Sequence, residues 1–434
     1  MRVVPRANSR PLRGGSFYFY GEVVRLTNAL DLLKERGFFK QVTHEDELRR
    51  ALASGKVTGY VGFDPTADSL HVGHLMGIMG LAHLQRAGHR PIALVGGGTV
   101  MIGDPSGRTE LRQMLSVEVI NRNAAQIKKQ LGNYLDFGSG RALLVNNADW
   151  ILPLNYIEFL REIGSQFSVN RMLTAECFRA RLERGLSFIE FNYMLLQAYD
   201  FLILHRRYGC TLQMGGDDQW SNILAGADLI RRLEGQEAYG LTWPLLTTAS
   251  GKKMGKTEAG AVWLDPDKTS PFDFYQYWRN THDDDVERFL ACFTFLPMDE
   301  VRRLGALRDQ EINEAKKILA FEVTKLAHGE EEARKAQETA ERLFAEGGQG
   351  GAAVPVTKVE GAAYPAGIPL LELLVLTGLV PSKKEGRRLI DQGGLQLNQK
   401  PVTEVGMIIQ PQDYQESGLL LQKGKKVFHK VEFI

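Results

Sequence analysis

Tyr60-Val61-Gly62-Phe63-Asp64-Pro65-Thr66-Ala67-Asp68-Ser69-Leu70-His71-Val72-Gly73-His74 is the stretch on which the fold of this chain turns. An apolar run ends at Phe63 and a polar loop with a proline follows. His71 and His74 then arrive as helical spacing begins at Leu75, Ile78, Met79, Leu81 and Ala82. A strand, a tight loop and a helix N-terminus make an anion site, because the free N–H groups of the first turn and the helix dipole both favour negative charge. Gly73 clears the backbone for a ligand. The two histidines, three apart, share one face of the helix start. Taken alone, H-x-G-H also fits a helix that merely carries two histidines, so the rest of the chain decides.

Outward from that stretch, residues 58–63 read as a strand and 72 to about 87 as a helix ending at Gly88. Pro91-Ile92-Ala93-Leu94-Val95-Gly96 is a second buried strand. Strand, helix and strand with apolar strands predict a parallel sheet in a doubly wound α/β fold. Gly96-Gly97-Gly98 opens a glycine-rich stretch running to Arg108, long enough to lie over a ligand. Leu143-Leu144-Val145-Asn146-Asn147 is a third strand ending in amides. Residues 187–204 form an apolar helix on which Tyr193, Gln197 and Asp200 make a polar stripe. Such a stripe is either partly solvated or faces a pocket for a small polar molecule. Thr211-Leu212-Gln213-Met214 is the next strand, and Gly215-Gly216-Asp217-Asp218-Gln219-Trp220 leads into another helix. This is a second strand-to-helix junction at the carboxyl end of the sheet, where open α/β sheets bind ligands.

Ser250-Gly251-Lys252-Lys253-Met254-Gly255-Lys256-Thr257 is a strongly basic loop. It is not a P-loop, since Ser250 stands where that motif needs its first glycine. Any phosphate work falls to the lysines; the ordinary reading is a solvated charge run. Elsewhere the periodicity predicts helix over 26–53, with Thr43 as an internal N-cap and Asp46 three residues on. It predicts helix again over 116–132, 154–184 and much of 265–345. Gly347-Gly348-Gln349-Gly350-Gly351 reads as a linker. In the small unit that follows, Ser382 caps a helix carrying Lys383, Lys384, Arg387 and Arg388, and Lys423, Lys425, Lys426 and Lys430 form a second basic group. Clustered cations suit a phosphate backbone, although charge alone fits a solvated helix face equally well.

At 434 residues, with 44% hydrophobic and 24% charged residues, the chain is long enough for two or three domains with sizeable cores. A net charge of +1 gives no global pull on nucleic acid. Cys177, Cys210 and Cys292 lie far apart in no metal-ligand pattern, which fits a reducing compartment. No run of 18 apolar residues argues for a membrane span. Arg2, Arg6, Arg10 and Arg13 precede the first acid, Glu22, as in an organellar transit peptide. The Phe17-Tyr18-Phe19-Tyr20 cluster fits an amphipathic transit helix poorly, so residues 1–25 read as a disordered extension.

From about residue 26 onward the sequence resembles the bacterial-type tyrosyl-tRNA synthetases, a class I aminoacyl-tRNA synthetase family. His71-Val72-Gly73-His74 matches the H-I-G-H signature, and Lys253-Met254-Gly255-Lys256-Thr257 matches K-M-S-K-S with both lysines kept. Gly62-Phe63-Asp64-Pro65-Thr66 and Gly215-Gly216-Asp217-Asp218-Gln219-Trp220 match as well, with Asp217 where the family usually has serine and Val61 where cysteine is common. The resemblance implies a Rossmann-like doubly wound catalytic domain over 26–248. It further implies a mobile lysine loop with an α-helical anticodon-binding domain over 249–346, a linker over 347–366 and an S-four-type α+β RNA-binding domain over 367–434.

It also implies the reaction. Tyrosine and ATP, with Mg²⁺, give tyrosyl-adenylate and pyrophosphate, and tyrosine then passes to tRNA(Tyr). By the same resemblance His71, His74, Thr66, Lys253 and Lys256 act on the phosphates, helped by Arg108 and Arg112. Gly62, Asp64, Gly73, Gly215, Asp218 and Thr257 belong to the ATP site. Tyr60 and Asp200 read the phenolic hydroxyl, Asp104, Tyr193 and Gln197 hold the ammonium, and Gln213 and Gln219 complete the tyrosine site. Lys383, Lys384, Arg387 and Arg388 meet RNA. A cytoplasmic homodimer without a resident metal is expected, an organellar matrix being the alternative if residues 1–25 are a targeting segment. The rivals are a tryptophanyl-tRNA synthetase, a plain nucleotidylyltransferase and an RNA-binding protein on a synthetase body. The Tyr60/Asp200 pair argues against the first, the lysine signature and downstream domains against the second, and the intact histidines and lysines against the third.

Overall fold

The structure is a computed structural model. It describes residues 28–104, 116–182, 185–247, 254, 256–257, 260–345, 356–398, 400–414, 418–424 and 427–434. Six strands form the main sheet: β1 Gln41–Val42, β2 Thr58–Phe63, β3 Arg90–Val95, β4 Leu143–Asn146, β5 Cys210–Gly216 and β6 Tyr239–Trp243. Their spatial order is β1-β6-β5-β2-β3-β4. The five from β6 to β4 run parallel, and β1 joins β6 antiparallel as an edge. After β2 the chain winds one way to β3 and β4, then returns to the other side of β2 for β5 and β6. The carboxyl ends of β2 and β5 therefore flank the switch point, where a doubly wound sheet opens a crevice.

Two helical expectations are corrected here. Residues 26–53 are not helical throughout: within the described part β1 separates α1 Ala29–Glu35 from α2 Glu45–Ser54. Nor is Thr43 a cap. His44, at φ 45°, starts α2 with no side-chain cap, while Thr43 Oγ1 accepts the Gly240 N–H at 2.9 Å. The pairing of β1 with β6 claims the hydroxyl that local spacing assigns to the helix. Residues 154–184 likewise break into short pieces, α6 Tyr156–Glu162, α7 Val169–Leu173 and α8 Glu176–Leu182, which follow the single turn α5 Ala148–Ile151.

The longer elements follow their sequence. The strand β2 leads through a 3₁₀ turn at Val72–His74 into α3 Leu75–Arg86. Ser116 accepts the Val119 N–H and caps α4 Val117–Leu131. The helix α9 Phe188–Tyr208 starts on a reciprocal Ser187–Glu190 capping box and stops at Gly209, whose φ of 62° is a left-handed conformation. The helix α10 Trp220–Glu234 follows β5 through a 3₁₀ turn over Asp217–Gln219.

A small hairpin, β7 Lys256–Thr257 with β8 Gly260–Ala261, precedes the helical unit. That unit comprises α11 Pro271–Arg279, α12 Val286–Phe293, α13 Met298–Gly305, α14 Ile312–His328 and α15 Glu330–Ala345. Trp278, Phe289 and Phe293 share one apolar cluster with Phe38, Leu81 and Trp243 of the sheet unit, so the core runs through both. The C-terminal unit has its own core around Leu373, Leu374, Ile390, Leu421 and Val431. It contains β9 Val356–Val359, β10 Ile368–Pro369, α16 Leu370–Leu376, α17 Lys383–Asp391, β11 Leu395–Leu397, β12 Lys400–Pro401, β13 Ile408–Ile409, β14 Leu419–Lys423 and β15 Val427–Phe433. Because β9 pairs parallel with β15, this unit takes in part of the stretch read as linker.

Candidate active site

The histidine turn is held by its own rings. His71 Nδ1 accepts the Gly73 N–H at 3.0 Å, and His74 Nδ1 accepts the His71 N–H at 3.1 Å. The ring centroids lie 4.1 Å apart. A Cβ on residue 73 would lie 2.7 Å from His71 Cε1, so glycine is what lets the ring fold back over the turn. Met254, the centre of the lysine signature, is buried, and its N–H donates to Leu246 O at 3.2 Å. Its carbonyl oxygen is 3.7 Å from that same imagined Cβ, which puts the two signatures against each other. Lys253 and Gly255 lie outside the described residues, as do Arg108 and Arg112; of Lys256 and Thr257 only the backbone strand is described. Thr66 is exposed on the loop after β2, its N–H bonded to Asp64 O at 2.8 Å. Gly62 and Asp64 stand at the end of β2, and Gly215 and Asp218 at the end of β5.

On the other side of β2 lies a buried polar pocket. Tyr60 on β2 stands opposite Gln213 on β5, and its ring packs on Phe201 of α9 at 5.3 Å. Both are almost fully buried, yet the Tyr60 hydroxyl and Gln213 Oε1 have no hydrogen-bond partner among the described residues. Asp200 is 2% exposed. Its Oδ1 accepts from Trp150 Nε1 at 2.7 Å and its Oδ2 from Asn147 Nδ2 at 2.9 Å. Asn147 is itself fixed, donating also to Thr99 Oγ1 at 2.9 Å and accepting the Gly98 N–H at 2.7 Å. Burial pushes the Asp200 carboxyl up to about 7 against the opposing pull of Asn147 and Trp150, and the charge of Asp64 adds to the rise. Burial, then Asp200, push the Tyr60 phenol well above its ordinary range.

From the same pocket a chain of amides runs outward. Gln197 donates to Gln219 Oε1 at 3.2 Å, and Gln219 donates to Asp104 Oδ2 at 2.8 Å. Tyr193 lies one turn before Gln197 on α9 and is buried. The structure thus brings together Tyr60 of β2 and Gln213 of β5, Gln197 and Asp200 from the middle of α9, Gln219 from the turn before α10, and Asp104 from the loop beyond β3. Sequence reasoning missed Asn147 and Trp150. The amide ending of the third strand was a signal for Asn147; a tryptophan one turn further on gave none. The two departures from the family pattern also have partners. Asp217 accepts from Gln41 Nε2 at 2.7 Å and Thr242 Oγ1 at 3.1 Å, tying the turn after β5 to β1 and β6. Val61 is buried, with its Cγ1 3.1 Å from where a Cβ on Gly77 would sit.

In the C-terminal unit, α17 exposes Lys383, Lys384, Arg387 and Arg388. Lys383 pairs with Glu372 at 3.0 Å. In the second basic group, Lys423 donates to Leu379 O at 3.2 Å and Lys430 pairs with Glu432 at 3.0 Å; Lys425 and Lys426 lie outside the described residues.

Comparison with known proteins agrees with this architecture. A sequence model of the tRNA synthetases class I (W and Y) matches residues 53–345, and the chain belongs to that family. A second model, the tyrosine–tRNA ligase SYY-like C-terminal domain, matches residues 347–431. Within the family the chain stands with the tyrosine–tRNA ligases of bacterial type. It is 61% identical over 404 residues to the tyrosine–tRNA ligase of Caldanaerobacter subterraneus subsp. tengcongensis, covering 93% of this chain and 99% of that one. It is 58% identical over 409 residues to that of Acetivibrio thermocellus, covering 94% and 100%. Among solved structures, a C-terminally truncated mitochondrial tyrosyl-tRNA synthetase of Aspergillus nidulans superposes with a TM-score of 0.66 at 34% identity, covering 73% of this chain and 94% of that one.

Proposed function

We propose that this ligase activates L-tyrosine in the crevice between the carboxyl ends of β2 and β5 and transfers it to the 3′ end of tRNA(Tyr). The tyrosine carboxylate attacks the α-phosphorus of ATP, the bond to the β-phosphate oxygen breaks, and pyrophosphate leaves. A ribose hydroxyl of tRNA then attacks the adenylate carbonyl, and AMP leaves. The attacking carboxylate is already an anion, so the first step needs no general base and no covalent enzyme intermediate. What it needs is fixed donors and cations where negative charge builds on the phosphates.

On this reading His71, His74 and Thr66 donate to the phosphates of ATP, and Lys253 and Lys256 supply compact mobile charge. Gly62, Asp64, Gly73, Gly215, Asp218 and Thr257 line the nucleotide. Arg108 and Arg112 assist. Mg²⁺ travels with ATP, held by phosphates and water. Asp104, Tyr193, Gln197 and Gln219 take the ammonium side of tyrosine. The observation that carries the reading is the Asp200 pocket. A buried carboxylate already fixed by two donors sits near a buried phenol that has no partner among the described residues. A ligand hydroxyl there both donates and accepts, while phenylalanine would leave those groups unpaired.

The C-terminal helix with Lys383, Lys384, Arg387 and Arg388 is the RNA-binding face, and the α-helical unit meets the anticodon arm. The working form is a homodimer. Exposed apolar side chains concentrate between Leu152 and Ile189, with Ile157 63% and Phe188 70% exposed. A second copy of this chain is the partner that would cover them. Three unpaired cysteines suit a cytoplasmic setting.

The test is amino-acid-dependent ATP–pyrophosphate exchange with tyrosine, tryptophan and phenylalanine offered separately, beside Lys256→Ala. Exchange with tyrosine alone, lost in the variant, is the expected result. Exchange with tryptophan, or with none of the three, overturns the reading.

A further inference from the structure

The stretch that follows the lysine signature is laced to the stretch that precedes the histidine pair. The Val72 N–H donates to Val262 O at 2.9 Å and the Leu264 N–H to Leu70 O at 2.8 Å. Between these bonds His71 and Trp263 face each other across an isolated antiparallel bridge. Strand alternation then sorts the side chains. Val262 and Leu264 turn into the core, 6% and 3% exposed, and Trp263 is sent to the half-exposed side. There its ring meets that of His71 edge to face, with centroids 5.9 Å apart and planes at 74°. His71 is thus gripped between Trp263 and the ring of His74.

Trp263 has a support of its own. Its backbone N–H donates to Thr269 Oγ1 at 2.9 Å, closing the turn that carries Lys268 back over it. Lys268 Nζ lies 5.5 Å from the Trp263 ring centroid and 2.8 Å from Asp68 Oδ1. One ammonium therefore rests on the indole and pairs with a carboxylate three residues before His71. The pairing holds the Asp68 carboxyl below its usual range.

We infer that Trp263, braced by the Asp68–Lys268 pair, is a positioning residue for adenylate formation: it fixes the tilt of the His71 ring toward the ATP phosphates. The inference rests on the reading of His71 as a phosphate donor. An imidazole on a half-exposed turn has rotamer freedom to lose when it engages a phosphate, and small errors of aim are costly in a transition state. The Gly73 N–H already anchors Nδ1, and the tryptophan fixes the remaining tilt of the ring beforehand. It is not needed to fill the core, because Val262 and Leu264 already do so.

A double-mutant cycle on the full chain tests this, with tyrosine-dependent ATP–pyrophosphate exchange as the rate and the tyrosine KM and thermal midpoint followed in parallel. Trp263→Ala should lower kcat up to about tenfold, the most an edge-on ring contact supplies, with the tyrosine KM unchanged. Its effect should vanish when His71 is already alanine. Asp68→Asn and Lys268→Met, surface changes that spare the core, should each lower kcat about two- to threefold. The same fold-loss from Trp263→Ala in both backgrounds overturns the inference alone. So does a rise in tyrosine KM that matches the fall in kcat, or Asp68 and Lys268 variants at full rate. His71→Ala at full rate removes the phosphate-donor reading, and the inference with it.

Discussion

Asp200 is the residue whose chemistry is most constrained. Its two carboxylate oxygens already accept from Trp150 and Asn147, and each keeps a lone pair for one more donor. A phenolic O–H donates most strongly there while the carboxyl is ionised, because a proton on either oxygen takes up one lone pair and weakens the acceptor. With the carboxyl pushed up to about 7, kcat/KM for tyrosine is expected to fall as pH drops below about 7, while the ATP KM stays level. Asp200→Asn should lower kcat/KM for tyrosine about a hundredfold and flatten that limb, since a charged hydrogen bond is replaced and one donor is left facing another. Stability runs the other way. The folded chain keeps a proton there that the unfolded chain releases, so the stabilisation from this carboxyl is full below the ordinary carboxylate range and lost as pH rises toward about 7. The variant should therefore lose less stability than the parent between about pH 4 and 7 in urea titrations. The sequence pointed to Asp200 through its place on a polar stripe, three residues after Gln197 and seven after Tyr193. It could not point to Trp150, because the tryptophan reaches the carboxylate across 50 residues of chain, and no periodicity carries such a contact.

At the scale of elements, α9 is the platform on which Tyr193, Gln197 and Asp200 are spaced, and its two ends are set by local chemistry. Ser187 accepts the Glu190 N–H at 3.3 Å while Glu190 Oε2 accepts the Ser187 N–H at 3.1 Å. Ser187→Ala should cost about 1 kcal/mol, and Gly209→Ala about the same because of its left-handed φ. Both are checked by the urea midpoint, with the tyrosine KM moving little. Elements of this kind were legible beforehand: β2, β3, α3, α4 and α9 carry their own periodicity and their own stops. The elements that misled were those decided by distant partners. Thr43 spells a cap locally but serves Gly240, nearly two hundred residues on. The apparent long helix over 154–184 is divided because apolar positions there also serve separate surfaces, and a helical period says nothing about which surface each turn meets.

At the scale of the whole molecule, Arg36 is the bolt between the sheet unit and the helical unit. It is 6% exposed, and its guanidinium donates to the carbonyls of Ala291, Thr294 and Leu296 at 3.0, 3.0 and 2.6 Å, at and just beyond the end of α12. Burial lowers its pKa to about 10, with Arg86 adding to the fall, which still leaves it charged at neutral pH. Arg36→Met should destabilise the chain by about 2–3 kcal/mol, because three carbonyls lose their donor. The measurement is the thermal midpoint, and the tyrosine pocket should keep its affinity in the folded fraction. The sheet order has a consequence for how such a chain is made. Among the described residues the edge strand at Gln41–Val42 pairs only with Tyr239–Trp243, and Arg36 waits for residues 291–296. While the ribosome is still adding the first two hundred residues, α1 can meet α2 and α3, but the strand that β1 pairs with and the carbonyls that Arg36 binds have not yet been made. Assembly of the catalytic half is therefore a late event in synthesis, and a nascent chain cut short before residue 240 carries the histidine signature without the means to use it.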